Sequence, residues 1–241
     1  MDVSSHTPAF LFDLDGTLVD SVYQHVLAWR EALESCGIQL AVWRIHRRIG
    51  MSGGLLTAAL LRETGRSVTG EQMQELQRLH AEAYARQMSQ VRPLPGAKQL
   101  LKALTAAGVR WAIATSGRGE FARKTVRILD TGPDDPIITR DEVAHAKPDP
   151  DLFLAAAKRL GVDIHSSIVV GDSVWDLLAA QRARALGVGL LSGGYGQDEL
   201  ERAGAYRVYQ DPLDLMQHLD EMGVRVREIT DEQNGLFRFQ G

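Results

Sequence analysis

The chain has 241 residues, 44% of them hydrophobic and 24% charged, and 27 basic against 31 acidic side chains leave a net charge of −4. That is a globular composition with room for one large domain or a domain with an appendage. The mild acidity, without a basic tract, argues against nucleic-acid and anionic-membrane partners. Cys36 is the single cysteine, which excludes an intrachain disulfide and a cysteine-rich metal site and suits a reducing compartment. No apolar run reaches the roughly 18 residues of a membrane span. The first eight residues lack a secretory pattern, so a cytoplasmic location is expected.

The first element is a short apolar run over residues 9–14, read as a buried strand, and it ends in Phe12-Asp13-Leu14-Asp15-Gly16-Thr17-Leu18. One aspartate at such a junction is an ordinary turn former. Two, at the end of an apolar strand, are costly unless a cation or hydrogen bonds compensate them. From residue 21 to 92 the sequence carries no convincing strand. Three/four spacing predicts helices over 22–35, with Val22, Val26, Trp29 and Leu33 on one face, and over 55–63 and 71–88. Residues 50–54 and 64–70 supply the breaks, and Arg92-Pro93-Leu94-Pro95-Gly96 reads as a stiff return linker.

Strand and helix then alternate. Helices are expected over 97–107, 120–129, 150–160 and 174–185, and strands over 109–115, 136–139, 167–171 and 186–191. This pattern predicts an α/β fold: a Rossmann-like parallel sheet with helices on both faces, with an α-helical unit inserted after the first strand. Residues 224–229 alternate like an edge strand, and 230–241 read as a polar end.

Three later strand ends carry polar groups. Ala114-Thr115-Ser116-Gly117 offers hydroxyls and backbone N–H groups for an oxyanion, or merely an N-cap. Lys147-Pro148-Asp149-Pro150 places a cation before a helix, which alone reads as a solvated lysine. Gly171-Asp172-Ser173-Val174-Trp175-Asp176 follows an apolar strand, and alone is a capped helix start. Strand ends of a parallel sheet share one crevice. Together they would gather acids suited to Mg²⁺, with a lysine and a hydroxyl suited to a phosphoryl group.

In this order, and with the helical insertion after the first, the four segments resemble the haloacid dehalogenase superfamily. The likeness is greatest to its phosphatase branch with an α-helical cap, which includes phosphoglycolate phosphatases and β-phosphoglucomutase-like proteins. The resemblance covers about residues 9–219 and implies a core of residues 1–20 and 93–241 with a cap of 21–92. It implies that Asp13 is a nucleophile forming an aspartyl-phosphate, and Asp15 the acid and then the base. Thr115 or Ser116, with the backbone at Gly117, would hold phosphate, and Lys147 would neutralise it. Mg²⁺ would be bound by Asp13, the main-chain carbonyl of Asp15, and Asp172. Asp176 would position Lys147 or a metal-bound water. A small phosphorylated metabolite is the expected partner, for a monomer or weak dimer.

Within that superfamily, Asp15 and Asp172 argue against dehalogenation. The chain has no lysine before Lys98, so the cap cannot supply the Schiff-base lysine of phosphonatases. His25 and Trp29, four apart, resemble the mutase group, although a partly packed histidine is the plain alternative. Where the mutases have a cap arginine this chain has Gly53; Arg47 and Arg48 precede that loop. Asp172 with Asp176 is the phosphatase-like pair. A phosphatase is therefore expected, with a β-phosphoglucomutase-like mutase as the alternative, and with Arg47, Arg48, Ser52 and His25 facing the leaving group.

Overall fold

The computed structural model describes residues 7–51, 53–63, 65 and 69–224. The chain opens with β1 (Ala9–Phe12), a four-residue strand buried throughout. A tight turn leads to β2 (Val19–Asp20) and then to four helices: α1 (Val22–Ser35), α2 (Val42–His46), α3 (Gly53–Glu63) and α4 (Gly70–Gln87). The return strand β3 (Arg92–Pro93) pairs antiparallel with β2, Val19 opposite Pro93 and Asp20 opposite Arg92. The way into the helical insertion and the way out therefore run side by side as a two-stranded ribbon.

Alternation follows: α5 (Ala97–Ala106), β4 (Trp111–Ala114), α6 (Gly119–Val126), β5 (Ile137–Ile138), α7 (Asp151–Leu160) and β6 (Ser167–Gly171). After these come α8 (Val174–Ala183), β7 (Leu186–Leu190), α9 (Gln197–Arg202), β8 (Ala205–Tyr209) and α10 (Pro212–Gln217). Six strands form one parallel sheet in the order β5-β4-β1-β6-β7-β8. The order runs from β1 to β4 and β5 on one side, then returns to β6 on the other. That reversal opens a crevice at the carboxyl ends of β1, β4 and β6, where ligands of such sheets bind.

The α/β architecture is the one the strand–helix alternation predicts. Four expected strands lie at the sheet centre, and α1 matches its expected range, with Val22, Val26, Trp29 and Leu33 all buried. Several elements go beyond the sequence reading. The edge strand β8 has Tyr206 and Arg207 exposed, so it lacks the continuous apolar run of a central strand. The five-residue α2 is too short to display helical periodicity, and the two-residue ribbon strands exist only through each other. Glu120–Leu129 separates into α6 and a 3₁₀ turn at Arg127–Leu129. The tail reading over 225–241 lies outside the described residues.

Two apolar layers sandwich the sheet. Phe10, Phe12, Leu100, Leu104 and Ile113 build one, while Leu11, Ala112, Leu152, Phe153 and Val169 build the other. Alternate residues of β1 thus serve opposite layers, as the period of two requires. A separate apolar cluster ties the helical insertion together, with Val26, Trp29 and Leu33 of α1 against Ile45, Leu60 and Leu76. No helix of the described residues is long and apolar enough to cross a membrane.

Candidate active site

The site begins where β1 ends. The Asp13 N–H donates to the Val170 carbonyl at 2.9 Å, carrying the β1–β6 ladder one residue past the strand. This fixes Asp13 beside the end of β6, with its side chain buried. The chain then reverses at Gly16, whose φ of +84° favours glycine. A Cβ on Gly16 would also stand 2.5 Å from Asp172 Oδ2, so the turn and the acid after β6 are in close contact. Thr17 Oγ1 donates to Asp172 Oδ1 at 2.8 Å, a partner the sequence reading left out.

Lys147 is fully buried between two carboxylates. Its Nζ donates to Asp13 Oδ1 and lies 2.8 Å from Asp176 Oδ1. The solvated-lysine alternative is therefore excluded. Asp176 serves two partners: Oδ1 faces Lys147, while Oδ2 accepts from Ser173 Oγ at 2.5 Å and Ser173 N at 3.1 Å. The last motif is thus both a capped helix start and part of the charged cluster.

Oxygens of Asp13, Asp172 and Asp176 all lie within 4.8 Å of one another. Burial pushes the Asp13 carboxyl up to about 7, against the pull of Lys147 and with help from the charges of Asp176 and Asp15. Burial, then Asp176 and Asp13, likewise hold Asp172 well above the usual carboxylate range. Burial lowers Lys147 less than Asp13 and Asp176 raise it, so it stays an ammonium ion. Three buried acids face one ammonium ion. That deficit of positive charge, among oxygen donors alone, fits a hard divalent cation.

Asp15 stands apart from this cluster. Its Oδ1 accepts from Ser21 Oγ at 2.6 Å and lies 3.3 Å from His25 Nε2. Burial raises its pKa, but the charge and hydrogen bond of His25, the Ser21 hydroxyl and Lys147 outweigh this and hold it below the usual value. Asp13 and Asp15 thus share a loop but face different neighbours, and both line a cavity of about 560 Å³. Ser116 and Gly117 line the same cavity, between the sheet and the helical insertion. Thr115 does not; it is fully buried, and its Oγ1 accepts from the Gly117 N–H at 2.9 Å, shaping the loop from behind. Ser116 Oγ reaches the Gly50 carbonyl of the insertion at 3.3 Å.

The insertion supplies the other wall through His25, Trp29, Ile49, Met51, His80 and Tyr84. His25 is at the cavity, but it touches Asp15. Arg48 does not line the cavity; its guanidinium bonds Glu63 at 2.6 Å. Arg47 bonds Glu199 of α9 and lies over the Tyr195 ring, 4.2 Å from its centroid. Ser52 lies outside the described residues.

Besides Thr17, three contributors escaped the sequence reading. His80 and Tyr84 belong to the α4 face that buries Leu76, and a histidine in line with an apolar stripe was the available signal. Gly193, after β7, packs so closely that a Cβ there would lie 1.8 Å from Asp172 Oδ2. Its carbonyl accepts from His46 Nε2 at 2.8 Å, linking the insertion to the acid cluster. Nothing local in Leu191-Ser192-Gly193-Gly194 announces this.

The family model for haloacid dehalogenase-like hydrolases matches residues 7–184. A crystal structure of a hydrolase from Pseudomonas syringae is 57% identical, with a TM-score of 0.87, covering 89% of this chain and 98% of that one. The phosphoglycolate phosphatase of Rhodospirillum rubrum is 32% identical over 84% of this chain and 87% of its own length. The β-phosphoglucomutase of Bacillus subtilis is 31% identical over 91% of this chain and 98% of its own. The chain belongs to the haloacid dehalogenase-like hydrolases, the family that the strand-end motifs resemble.

Proposed function

We propose that this haloacid dehalogenase-like hydrolase is a Mg²⁺-dependent phosphatase of small phosphomonoesters, acting through an aspartyl-phosphate on Asp13. The observation that carries the reading is the division of labour between two carboxylates on one loop. Both line the cavity, but Asp13 is paired with the buried Lys147, while Asp15 accepts from Ser21 and lies against His25. Phosphatase and phosphomutase relatives support activity on a small phosphate ester.

Asp13 would attack phosphorus, forming the acyl phosphate as the bond to the leaving oxygen breaks. Asp15, as the acid, would give that oxygen its proton. Water would then attack the phosphoenzyme, with Asp15 taking back a proton, and inorganic phosphate would leave. Ser116 and the backbone at Gly117, which line the same cavity, would hold the phosphoryl oxygens, and Lys147 would neutralise the charge shared by Asp13 and phosphate. Mg²⁺ would be held by Asp13, Asp172 and the Asp15 carbonyl, with Asp176 close by, and would supply further charge neutralisation of the phosphoryl group. We further propose that residues 21–92 act as a cap over the core, turning on the β2–β3 ribbon and excluding water when closed.

The test is a screen of phosphomonoesters, phosphoglycolate and hexose phosphates included, with Mg²⁺ and with chelator. Metal-dependent phosphate release, abolished in Asp13→Asn, is expected. Full activity in excess chelator, or in Asp13→Asn, would overturn the reading. The mutase alternative draws on the contact of His25 with Asp15 and on the mutase relative. β-Glucose 1-phosphate with catalytic bisphosphate decides between them. Robust glucose 6-phosphate formation with a long-lived phosphoenzyme would favour the mutase; rapid phosphate release without bisphosphate is expected.

A further inference from the structure

Behind Asp15 stands a file of rings from the helical insertion. His25 Nε2 is 3.3 Å from Asp15 Oδ1, and His25 Nδ1 is 3.2 Å from His80 Nε2. Tyr84 stacks on His25, with centroids 3.9 Å apart and planes 6° from parallel. Trp29 stacks on His80 at 4.1 Å and 15°. His25 and His80 are also near parallel, at 20°. The two imidazoles therefore lie edge to edge in one layer, with flat partners preventing either from tilting.

We infer that His80 is a positioning residue for the acid step: through His25 it holds the Asp15 carboxyl at the leaving oxygen. This rests on the reading of Asp15 as the acid–base. The argument is one of donors and acceptors. A neutral imidazole has one N–H and one lone pair. When Asp15 is a carboxylate, His25 must present N–H at Nε2, so its Nδ1 is a lone pair that needs a donor. His80 Nε2–H is that donor. The proton that Asp15 gives to the leaving oxygen belongs on its other oxygen, Oδ2, because Oδ1 already accepts from Ser21 and faces His25. Oδ1 therefore goes on accepting from His25 Nε2–H, and His80 Nε2–H remains the donor to His25 Nδ1 through the acid step. Desolvation among the surrounding rings keeps the pKa of His80 well below its ordinary value, so the ring stays neutral, with one N–H to offer His25. The hydrogen bond that ties His80 to Asp15 runs through His25.

Leaving groups separate this role from a structural one. A poor alkoxide needs a proton as it departs, whereas 4-nitrophenolate does not. kcat/KM covers the steps up to leaving-group release, before water attacks the phosphoenzyme. His80→Ala is therefore expected to lower kcat/KM for an alkyl phosphate by about tenfold to a hundredfold, a share of the roughly 10²–10⁴ of general acid catalysis. With 4-nitrophenyl phosphate the loss is expected to stay within about threefold, because no proton is needed there. His80→Gln, whose amide both donates and accepts, is expected to recover most of the alkyl-phosphate rate. His80→Phe retains a ring against Trp29 without the hydrogen bond and is expected to behave as Ala.

Equal losses on both substrates, or a His80→Phe variant that matches His80→Gln, would overturn the role of His80. Asp15→Asn provides the reference. If it shows no selective loss on alkyl phosphates, the acid assignment itself fails. If it shows the selective loss and His80→Ala does not, only the present inference fails. The 4-nitrophenyl phosphate rate also reports whether each variant has folded.

Discussion

Replacing Asp172 by asparagine should make the metal-free protein more stable while abolishing its response to Mg²⁺. Asp172 shares its buried cluster with Asp13 and Asp176, ligand oxygens within 4.8 Å of each other. At an effective dielectric of 20, two unit charges at that separation repel by about 3.5 kcal/mol. Two such pairs act on Asp172, and Lys147 offsets part of the total. Asparagine keeps the shape and still accepts from Thr17 Oγ1, so the packing against Gly16 and Gly193 survives. With Lys147 offsetting part of that repulsion, neutralising Asp172 is expected to gain on the order of 2 kcal/mol. At about 2–4 °C per kcal/mol for a chain of this size, a gain of about 2 kcal/mol raises Tm by about 4–8 °C in chelator.

Mg²⁺ at a hundred times its dissociation constant stabilises the wild type by about 2.7 kcal/mol, or about 5–11 °C. Asp172→Asn should show little of that shift and no phosphatase activity. Thermal melts with chelator and with titrated Mg²⁺, in both proteins, read all of these quantities. pH supplies the matching sign. Asp13 has a folded pKa raised from 3.8 to about 7. The stability that goes with its neutral form is fully present below the unfolded value and is lost as pH rises through about 7. Without metal, the wild type should therefore melt higher at pH 5.5 than at pH 8, and Mg²⁺ should flatten that slope. A wild type indifferent to Mg²⁺, together with an Asp172→Asn that melts lower in chelator, would refute the charge argument.

Gly193→Ala places a methyl where Asp172 Oδ2 stands and should cut activity by roughly a hundredfold through a displaced metal ligand, with Mg²⁺ affinity falling in parallel. An unchanged Mg²⁺ midpoint would show that the loop accommodates the methyl. Arg48→Ala removes a partly exposed ion pair with Glu63 and should cost about 0–1 kcal/mol, with KM ratios between substrates unchanged. A selective rise in KM for some substrates would return Arg48 to the leaving-group side, as the sequence reading expected. Lys147→Met strands Asp13 and Asp176 without their ammonium ion and should destabilise the metal-free fold by about 3–5 kcal/mol, measurable by urea unfolding.

The parallel sheet and its strand-end groups were legible in the chain itself because their determinants are local. A buried central strand shows as a continuous apolar run, and the acids and the lysine follow such runs or precede a helix. Asp13, Asp15, Thr115, Ser116, Lys147, Asp172 and Asp176 could thus be named before any coordinates. Elements whose stability is not local stayed hidden: the β2–β3 ribbon, which exists only as a pair, the edge strand β8, and the five-residue α2. Within the site, packing decided which way each side chain turned. Thr115 faces inward to hold its loop, Arg48 turns to Glu63, and Asp176 joins the acid cluster with one oxygen while capping α8 with the other. The contacts of His25 with His80, 55 residues apart, and of Gly193 with Asp172 across two loops depend on helix–helix and strand–loop approach. No periodicity records such an approach, because the free energy that sets it comes from burial shared among distant residues rather than from any one segment.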